Sequence, residues 1–427
     1  MRNLVDSFLH INRKFLLIHA LLFLILVGLE IYYTQFITEQ FDYLGFKSNF
    51  SFIKFIEFHF VYLISITLSF YLFRKSHFIF SIFILIILFF LIPNGIMMIF
   101  SNTIRGPVYS IILFIATYCL IAPLRLKVIP FSSQKSFINI SIFGIFTLLI
   151  LPIVWIYLTD FNFNTLLLKD IYQTRDAFSL KETGLTKYFY NWLVKVIIPF
   201  MFVYFMLEKQ RFLSSIGLIF LIYLFVISGN KAVYFTSIIT IFFYFFGKGI
   251  IDKLYYFMVA LLISFPLIFV GDYFLNDYLL RGTLIMRPFY FPALLNYCYF
   301  DYFKEIPLYF SENHLFNSIF VSPIETKSAI LISKVYFHTN DMYANNGIIS
   351  DGYMNLGYLG VFLLSIIFSV FFMLFNSLKV NPSYFGIFFI LVFFFLSAPV
   401  FTVIVTGGVW ILLFLMYITM KKNSHEL

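Results

Sequence analysis

Charge is what this chain has least of. Asp, Glu, Lys and Arg supply only 11% of its 427 residues, less than half their usual share in a soluble domain, which excludes a freely soluble globular fold. Cysteine is scarce too. Cys119 and Cys298 are its only two, one in an apolar run and one in a more polar stretch, too few for a disulfide framework. There is no HExxH, CxxC, GxxxxGK[ST] or GxSxG and no long run of histidines, so metal hydrolysis, nucleotide hydrolysis and nicotinamide redox have no sequence support. No metal or other cofactor is expected. Repeats of fixed length, low-complexity linkers and a soluble domain are missing as well.

What the chain has is hydrocarbon. Hydrophobic residues make up 62% of it, with 64 Phe and 30 Tyr, and the mean hydropathy is +0.95. A spanning helix needs about 20 predominantly apolar residues, and about twelve such runs follow one another. They lie near Phe15 to Tyr33, Phe55 to Phe73, Phe78 to Phe100, Pro107 to Leu124, Phe137 to Leu158 and Tyr188 to Leu207. The others lie near Phe212 to Ser228, Val233 to Phe246, Leu254 to Gly271, Gly357 to Asn376, Tyr384 to Val403 and Val405 to Met420. The expected fold is an all-α polytopic membrane protein, a single membrane domain over 1–427. The first run lacks a small-residue cleavage site after it, so it is expected to act as its own insertion signal.

Lys and Arg in short loops set orientation. With the N-terminus inside, the cytoplasmic loops collect Arg2, Arg13, Lys14, Arg74, Lys75, Arg125, Lys127, Lys135, Lys209, Arg211, Lys248, Lys253, Lys379, Lys421 and Lys422. Only Asp6, Glu208, Asp252 and Glu426 oppose them. Both termini are then cytoplasmic, and two sizeable segments face outward, 159–187 and 272–356. The net charge of +9 is a signature of that topology, so the expected partner is the bilayer and not nucleic acid.

Ionisable residues at membrane depth are functional candidates by default, and four patches qualify. Ser228-Gly229-Asn230-Lys231 is a polar tip between two runs: backbone N–H groups and Lys231 can hold an anion, or the tip is a plain helical hairpin with a snorkelling lysine. In Lys169-Asp170-Ile171-Tyr172-Gln173-Thr174-Arg175, Tyr172 and Arg175 share a face if the segment is helical; a guanidinium fork suits pyrophosphate and a phenol suits a sugar, whereas a solvated interfacial helix explains the same residues. Arg281 and Arg287 are embedded in LLRGTLIMRPFYF. Six residues rotate a helix by about 240°, so the two guanidiniums converge only if Gly282 and Pro288 break it; otherwise they are interfacial anchors.

The fourth patch is the densest. His338, Asn340, Asp341, Asn345, Asn346, Asp351, Tyr353 and Asn355 precede the tenth run, among Gly347, Gly352, Gly357 and Gly360. Amides, carboxylates and rings supply the paired donors and acceptors that sugar hydroxyls need. Asp351 and Asn355 face the same way if the helix has begun there. A capped, hydrated loop accounts for the glycines and one Asn but not for the whole cluster.

Together these patches resemble a family. HTNDMYANNGIISDGYMNLGYLGVFLLSI resembles the end of the large periplasmic loop of bacterial O-antigen polymerases, the oligosaccharide repeat unit polymerases. SGNKAVYF looks like their Gly-polar-Lys turn, KDIYQTR like their Tyr-x-x-Arg element, and RGTLIMRPFYFP like their Arg-containing segment. The four follow in the family's order over about half the chain, whereas the first five spans resemble only generic membrane helices.

The resemblance implies a metal-independent integral-membrane glycosyltransferase of the bacterial inner membrane, acting on its periplasmic side in lipopolysaccharide biosynthesis. It would move a growing glycan from undecaprenyl pyrophosphate to a carrier-linked repeat unit, with chain-length regulator and flippase proteins as partners. Arg175, Arg281, Arg287 and Lys231 would then face pyrophosphate. Asp351, followed by His338 and Asp341, would be the base, and Tyr172, Asn345, Asn346 and Tyr353 would position sugar. Two other readings stay open: an O-antigen ligase with lipid A core as acceptor, and a lipid-linked oligosaccharide flippase or other transporter without covalent chemistry.

Overall fold

The computed structural model describes residues 2–101, 103–129, 134–167, 170–275, 278–313, 316–339 and 342–420, with side chains from residue 13 onward apart from that of Leu167. Every regular element among them is a helix. Nine are long and apolar enough to cross a membrane: Arg13–Gln40, Phe52–Lys75, His77–Phe100, Lys135–Ile156, Gly184–Leu207, Arg211–Ser228, Ile250–Leu275, Ile348–Ser377 and Val400–Ile418. The chain is accordingly described as a multi-pass membrane protein. Three further apolar runs form shorter helices, Gly106–Ile121, Lys231–Phe245 and Pro382–Ser397. All twelve runs are therefore helical, nine of them at full spanning length.

The chain folds as two compact units. The first comprises 1–124, 249–373 and 392–400, and the second 125–248, 374–391 and 401–427. In the first, His77–Phe100 is buried along its whole apolar window. Its Phe and Ile rows leave no polar face, which is the pattern of a helix surrounded by others. In the second, Gly184–Leu207 is the most deeply buried span, and Trp192 Nε1 ties it to the Val405 carbonyl at 2.8 Å.

Proline shapes these central helices. π-helical turns at Ile87–Leu91 and Leu193–Ile197 stand just before Pro93 and Pro199, and a longer one, Gly282–Tyr290, contains Pro288 and precedes Pro292. A proline ring cannot donate to the ladder and crowds the carbonyl one turn back. Widening that turn relieves the crowding without ending the helix.

The front of the 272–356 segment is core rather than surface loop. Ile285, Met286, Phe289, Tyr290 and most of Phe291–Tyr302 are buried. Asn296 Nδ2 donates to Asn94 Oδ1 at 3.2 Å, and the Tyr297 hydroxyl donates to the Asn94 carbonyl at 2.7 Å. Asn94 itself is 0% exposed on the central helix. Buried amides and phenols need such partners, and here they fix the segment's register. Pro288, Pro292, Arg281 and Arg287 had lowered its apparent hydropathy, which is why it reads as a loop in sequence. Beyond it come an irregular stretch, the helix Ser328–Phe337 and the loop into Ile348–Ser377.

Candidate functional site

In the second unit, two of the four patches meet. Ile171–Lys181 is a helix with Ile171, Thr174 and Phe178 buried, and Tyr172 and Arg175 on its exposed side. The Phe178 ring stacks on Tyr157 at 4.4 Å, and Thr174 shares hydrogen bonds with Asn162 and Thr165 at 3.0 Å each. Against this helix sits the tip after Arg211–Ser228. Gly229 has φ +60°, and a Cβ there would lie 2.6 Å from the Ile171 carbonyl oxygen, so only glycine allows the approach.

The neighbouring residues complete the turn. The Ser228 and Tyr190 hydroxyls are 2.7 Å apart, Ser228 Oγ accepts from Asn230 N at 3.2 Å, and Asn230 Oδ1 caps the next helix through Ala232 N at 3.0 Å. An Asn at this position satisfies a donor the helix start would otherwise leave open. Tyr190 lies within electrostatic range of Arg175. Lys231 and Arg175 are exposed, and no ion pair involves either among the described residues. Burial raises the Glu182 carboxyl, just past the end of the Ile171–Lys181 helix, opposed by Lys187. Lys169 lies outside the described residues.

In the first unit, Ile348–Ser377 is two helices meeting at Leu356 and Gly357, where φ is −142° and +60°. The corner brings Gly352 against Gly360: a Cβ on Gly352 would lie 2.6 Å from Val361 N and 2.8 Å from the Gly360 carbonyl carbon. The glycines thus mark backbone touching backbone, not hydration of a loop. Asp351 and Asn355 share the inner face of the first half. Asn355 Nδ2 donates to Asp351 O at 2.8 Å and to Asp351 Oδ1 at 3.1 Å, while Asp351 Oδ2 accepts from Val400 N at 2.9 Å. Asn355 Oδ1 in turn accepts from Phe310 N at 2.6 Å.

Asp351 is therefore buried with both oxygens engaged. A carboxylate has room for about four hydrogen bonds, so acceptor capacity remains, but substrate reaches it only if the surroundings open. Asn346 is also buried, with its amide 3.5 Å from Met354 Sδ. The Tyr353 ring stacks on Phe300 at 3.6 Å and meets Tyr358 edge-on at 5.5 Å. Asn345 and His338 are exposed; His338, at φ +51°, ends the Ser328–Phe337 helix. Asn340 and Asp341 lie outside the described residues.

The two central arginines part company. Arg281 is 7% exposed and its Nε donates to Asp272 Oδ2 at 2.7 Å. Asp272 also accepts from the backbone N–H groups of Leu280 and Arg281 at 2.9 and 3.2 Å. The guanidinium lies 4.6 Å from the Phe36 ring centroid and 5.5 Å from those of Phe269 and Tyr278, a desolvated cation–π setting. Arg287, six residues on, is exposed. Gly282 keeps helical dihedrals, φ −59° and ψ −43°, and the helical run continues through Pro288, so no break brings the two guanidiniums together: one is paired inside the fold and the other lies at its surface.

Asp272, Asn94, Asn296 and Glu312 escaped sequence reasoning. Glu312 caps the Ser328–Phe337 helix, accepting from Ser328 N and from Ser328 Oγ at 2.6 Å. Asp272 carried a usable signal, as a carboxylate at the end of an apolar run nine residues before a cation. No group of three or more His, Cys, Asp or Glu comes together as metal ligands would among the described residues. Compared with family models, curated proteins and solved structures, the chain matches none of them.

Proposed function

We propose that this chain is an O-antigen polymerase, or a polymerase of a related surface polysaccharide, in the bacterial inner membrane. The observation that carries the reading is the seating of Gly229 on Ile171. It joins the Gly-polar-Lys turn to the Tyr-x-x-Arg helix, two elements the sequence resemblance singles out, and leaves Lys231, Arg175 and Tyr172 exposed around the contact. In this reading all twelve apolar helices cross the bilayer, both termini are cytoplasmic, and 159–187 and 272–356 serve the periplasmic side.

The chemistry follows from the groups present. An acceptor sugar hydroxyl gives its proton to a base and forms a bond to the donor's anomeric carbon, as the bond to undecaprenyl pyrophosphate breaks and its electron pair leaves with the pyrophosphate. Negative charge grows on that leaving group, where cations held in place beforehand stabilise it. Arg175, Lys231 and Arg287 are the uncommitted cations for this duty; Arg281 contributes through its pairing with Asp272. Asp351 is the first choice of base, with His338 and Asp341 behind it, since a base must come within hydrogen-bond reach of the proton it removes. Tyr172, Asn345, Asn346 and Tyr353 are assigned to sugar.

The test is reconstitution. Purified protein given a defined undecaprenyl-pyrophosphate-linked repeat unit, without nucleotide sugar or metal, is expected to produce a ladder of glycan lengths. Recovery of unchanged single repeats from folded protein refutes the proposal.

A further inference from the structure

A cavity of about 600 Å³ lies in the second unit, to which every residue lining it belongs. Small-molecule sites run from roughly 300 to 1,000 Å³. The ends of Gly184–Leu207, Ile348–Ser377 and Val409–Ile418 form its wall, with the chain that follows Gly106–Ile121 and the turn Pro382–Tyr384.

The main oxygen acceptors of this lining are engaged within the protein. Glu208 is paired with Lys135, Ser377 Oγ accepts from Leu126 N at 2.9 Å, and Asn381 Oδ1 accepts from Ser383 N at 2.9 Å. Asn381 is left with two amide hydrogens to donate. Tyr384 is 5% exposed and its ring stacks on Phe200 at 5.0 Å, yet its hydroxyl makes no hydrogen bond among the described residues. A buried hydroxyl without a partner calls for an explanation, and one that lines a cavity finds it in a ligand.

Two cations join these donors. Lys127 and Lys379 both line the cavity and are exposed. No ion pair involves Lys127 among the described residues, and an ammonium carries three donors. Lys379 stands at φ +50° just past the end of Ile348–Ser377. That is a position where glycine is usual, so the chain keeps a long cationic side chain there against its backbone preference.

Spare donors beside two positive charges select a ligand made of acceptors and negative charge, and phosphate is both. Leu207, Met416 and Met420 add apolar lining, and Leu126 and Leu207 also reach the protein surface. Apolar groups at the ends of spanning helices suit an acyl chain. We propose that the cavity holds the phosphate of an anionic lipid headgroup, with Lys127 and Lys379 on its charge and Tyr384 and Asn381 on its oxygens. In the orientation proposed above the lipid belongs to the cytoplasmic leaflet, but the binding depends neither on that orientation nor on the glycan chemistry.

Purified full-length protein, stripped of lipid in a neutral detergent, is titrated with phosphatidylglycerol, with phosphatidylcholine of the same chains and with inorganic phosphate, and adducts are counted by native mass spectrometry. One phosphatidylglycerol is expected to bind at least about tenfold more tightly than phosphatidylcholine, and excess inorganic phosphate to leave it in place. Lys127→Gln with Lys379→Gln removes most of that preference. Tyr384→Phe deletes only the unpartnered hydroxyl, and weakens phosphatidylglycerol several-fold without lowering the unfolding temperature. Arg74→Gln with Lys75→Gln, exposed cations of the first unit, controls for the general attraction of basic loops to anionic lipid and binds as the wild type does. Three results overturn the proposal: equal affinity for the two lipids, displacement of phosphatidylglycerol by inorganic phosphate, or lysine and Tyr384 variants that bind it like the wild type. The wild-type titrations alone decide the first two, even if a variant fails to fold.

Discussion

The backbone N–H of Val400 donates to Asp351 Oδ2 at 2.9 Å, across 49 positions of sequence. Pro399 precedes Val400 and starts a new helical segment, Val400–Val405, so this N–H has no partner in its own helix and takes one from Asp351. With Asn355 on the other oxygen and Phe310 beyond it, one carboxylate holds three remote pieces of the first unit together.

Asp351→Ala strands the Val400 N–H and leaves the Asn355 amide only the residue-351 carbonyl, and is expected to cost about 2 to 3 kcal/mol, read as a lower unfolding temperature and lower membrane abundance. Asp351→Asn keeps an acceptor for Val400 but points an NH2 at the Asn355 NH2, a loss of about 1 kcal/mol. It therefore folds and separates the roles: turnover by purified Asp351→Asn collapses if the carboxylate is the base, and stays near wild type if Asp351 only holds the corner.

Gly360→Ala is expected to be among the most damaging conservative changes in the first unit. Its Cβ would meet the Gly352 carbonyl oxygen, and a backbone atom on both sides leaves no flexible side chain to move aside. A cost of about 3 kcal/mol or more is expected, at the upper end of overpacking. Gly144→Ala is the control. Nothing lies within 4 Å of the added methyl, inside Lys135–Ile156, and a gain of about 0.5 to 1 kcal/mol is expected. Thermal unfolding of the two proteins in the same detergent should move in opposite directions.

These contrasts show which features the sequence made legible. Long apolar runs located the nine helices of spanning length and three shorter ones, because spanning segments satisfy their own backbone and need little else. Spacing alone put Tyr172 with Arg175, and Asp351 with Asn355, because local helical geometry decides such pairs. What stayed hidden depends on remote contact. Asp272 as the partner of Arg281, Asn94 under Asn296 and Tyr297, and Gly229 on Ile171 each join residues that no periodicity relates. The buried run from Ile285 to Phe300 was hidden differently: Pro288, Pro292 and Arg287 dilute its hydropathy, although the π-helical stretch accommodates the prolines and Arg287 lies at the surface.

Arg281→Gln and Arg287→Gln should now behave differently. Removing the Arg281 guanidinium leaves Asp272, 0% exposed, without its charge partner, and breaking a buried pair this way costs about 3 to 5 kcal/mol. Loss of glycan in that variant is expected to track loss of protein, and Arg281→Gln with Asp272→Asn should recover abundance. Arg287 is exposed, so Arg287→Gln is expected to accumulate normally. If Arg287 serves pyrophosphate, immunoblots of its lipopolysaccharide show core plus one repeat and no long chains. An unchanged ladder removes Arg287 from the site.

Gly229→Ala tests the contact on which the functional proposal leans. A side chain at φ +60° costs about 1 to 2 kcal/mol by itself, and the methyl would press on the Ile171 carbonyl from 2.6 Å, so the tip and the Arg175-bearing helix must separate. Tyr190→Phe disturbs the same turn without moving it. The phenol oxygen leaves Ser228, which still accepts from Asn230, at about 1 kcal/mol. Both proteins are to be assayed well below their unfolding temperatures, so that stability does not limit activity. If Lys231 and Arg175 act together, Gly229→Ala loses polymerisation out of proportion to its stability, whereas Tyr190→Phe retains it. Equal activity in the two would mean that the tip and the helix serve the fold alone, and the cations for pyrophosphate would then have to be sought in the first unit, beginning with Arg287.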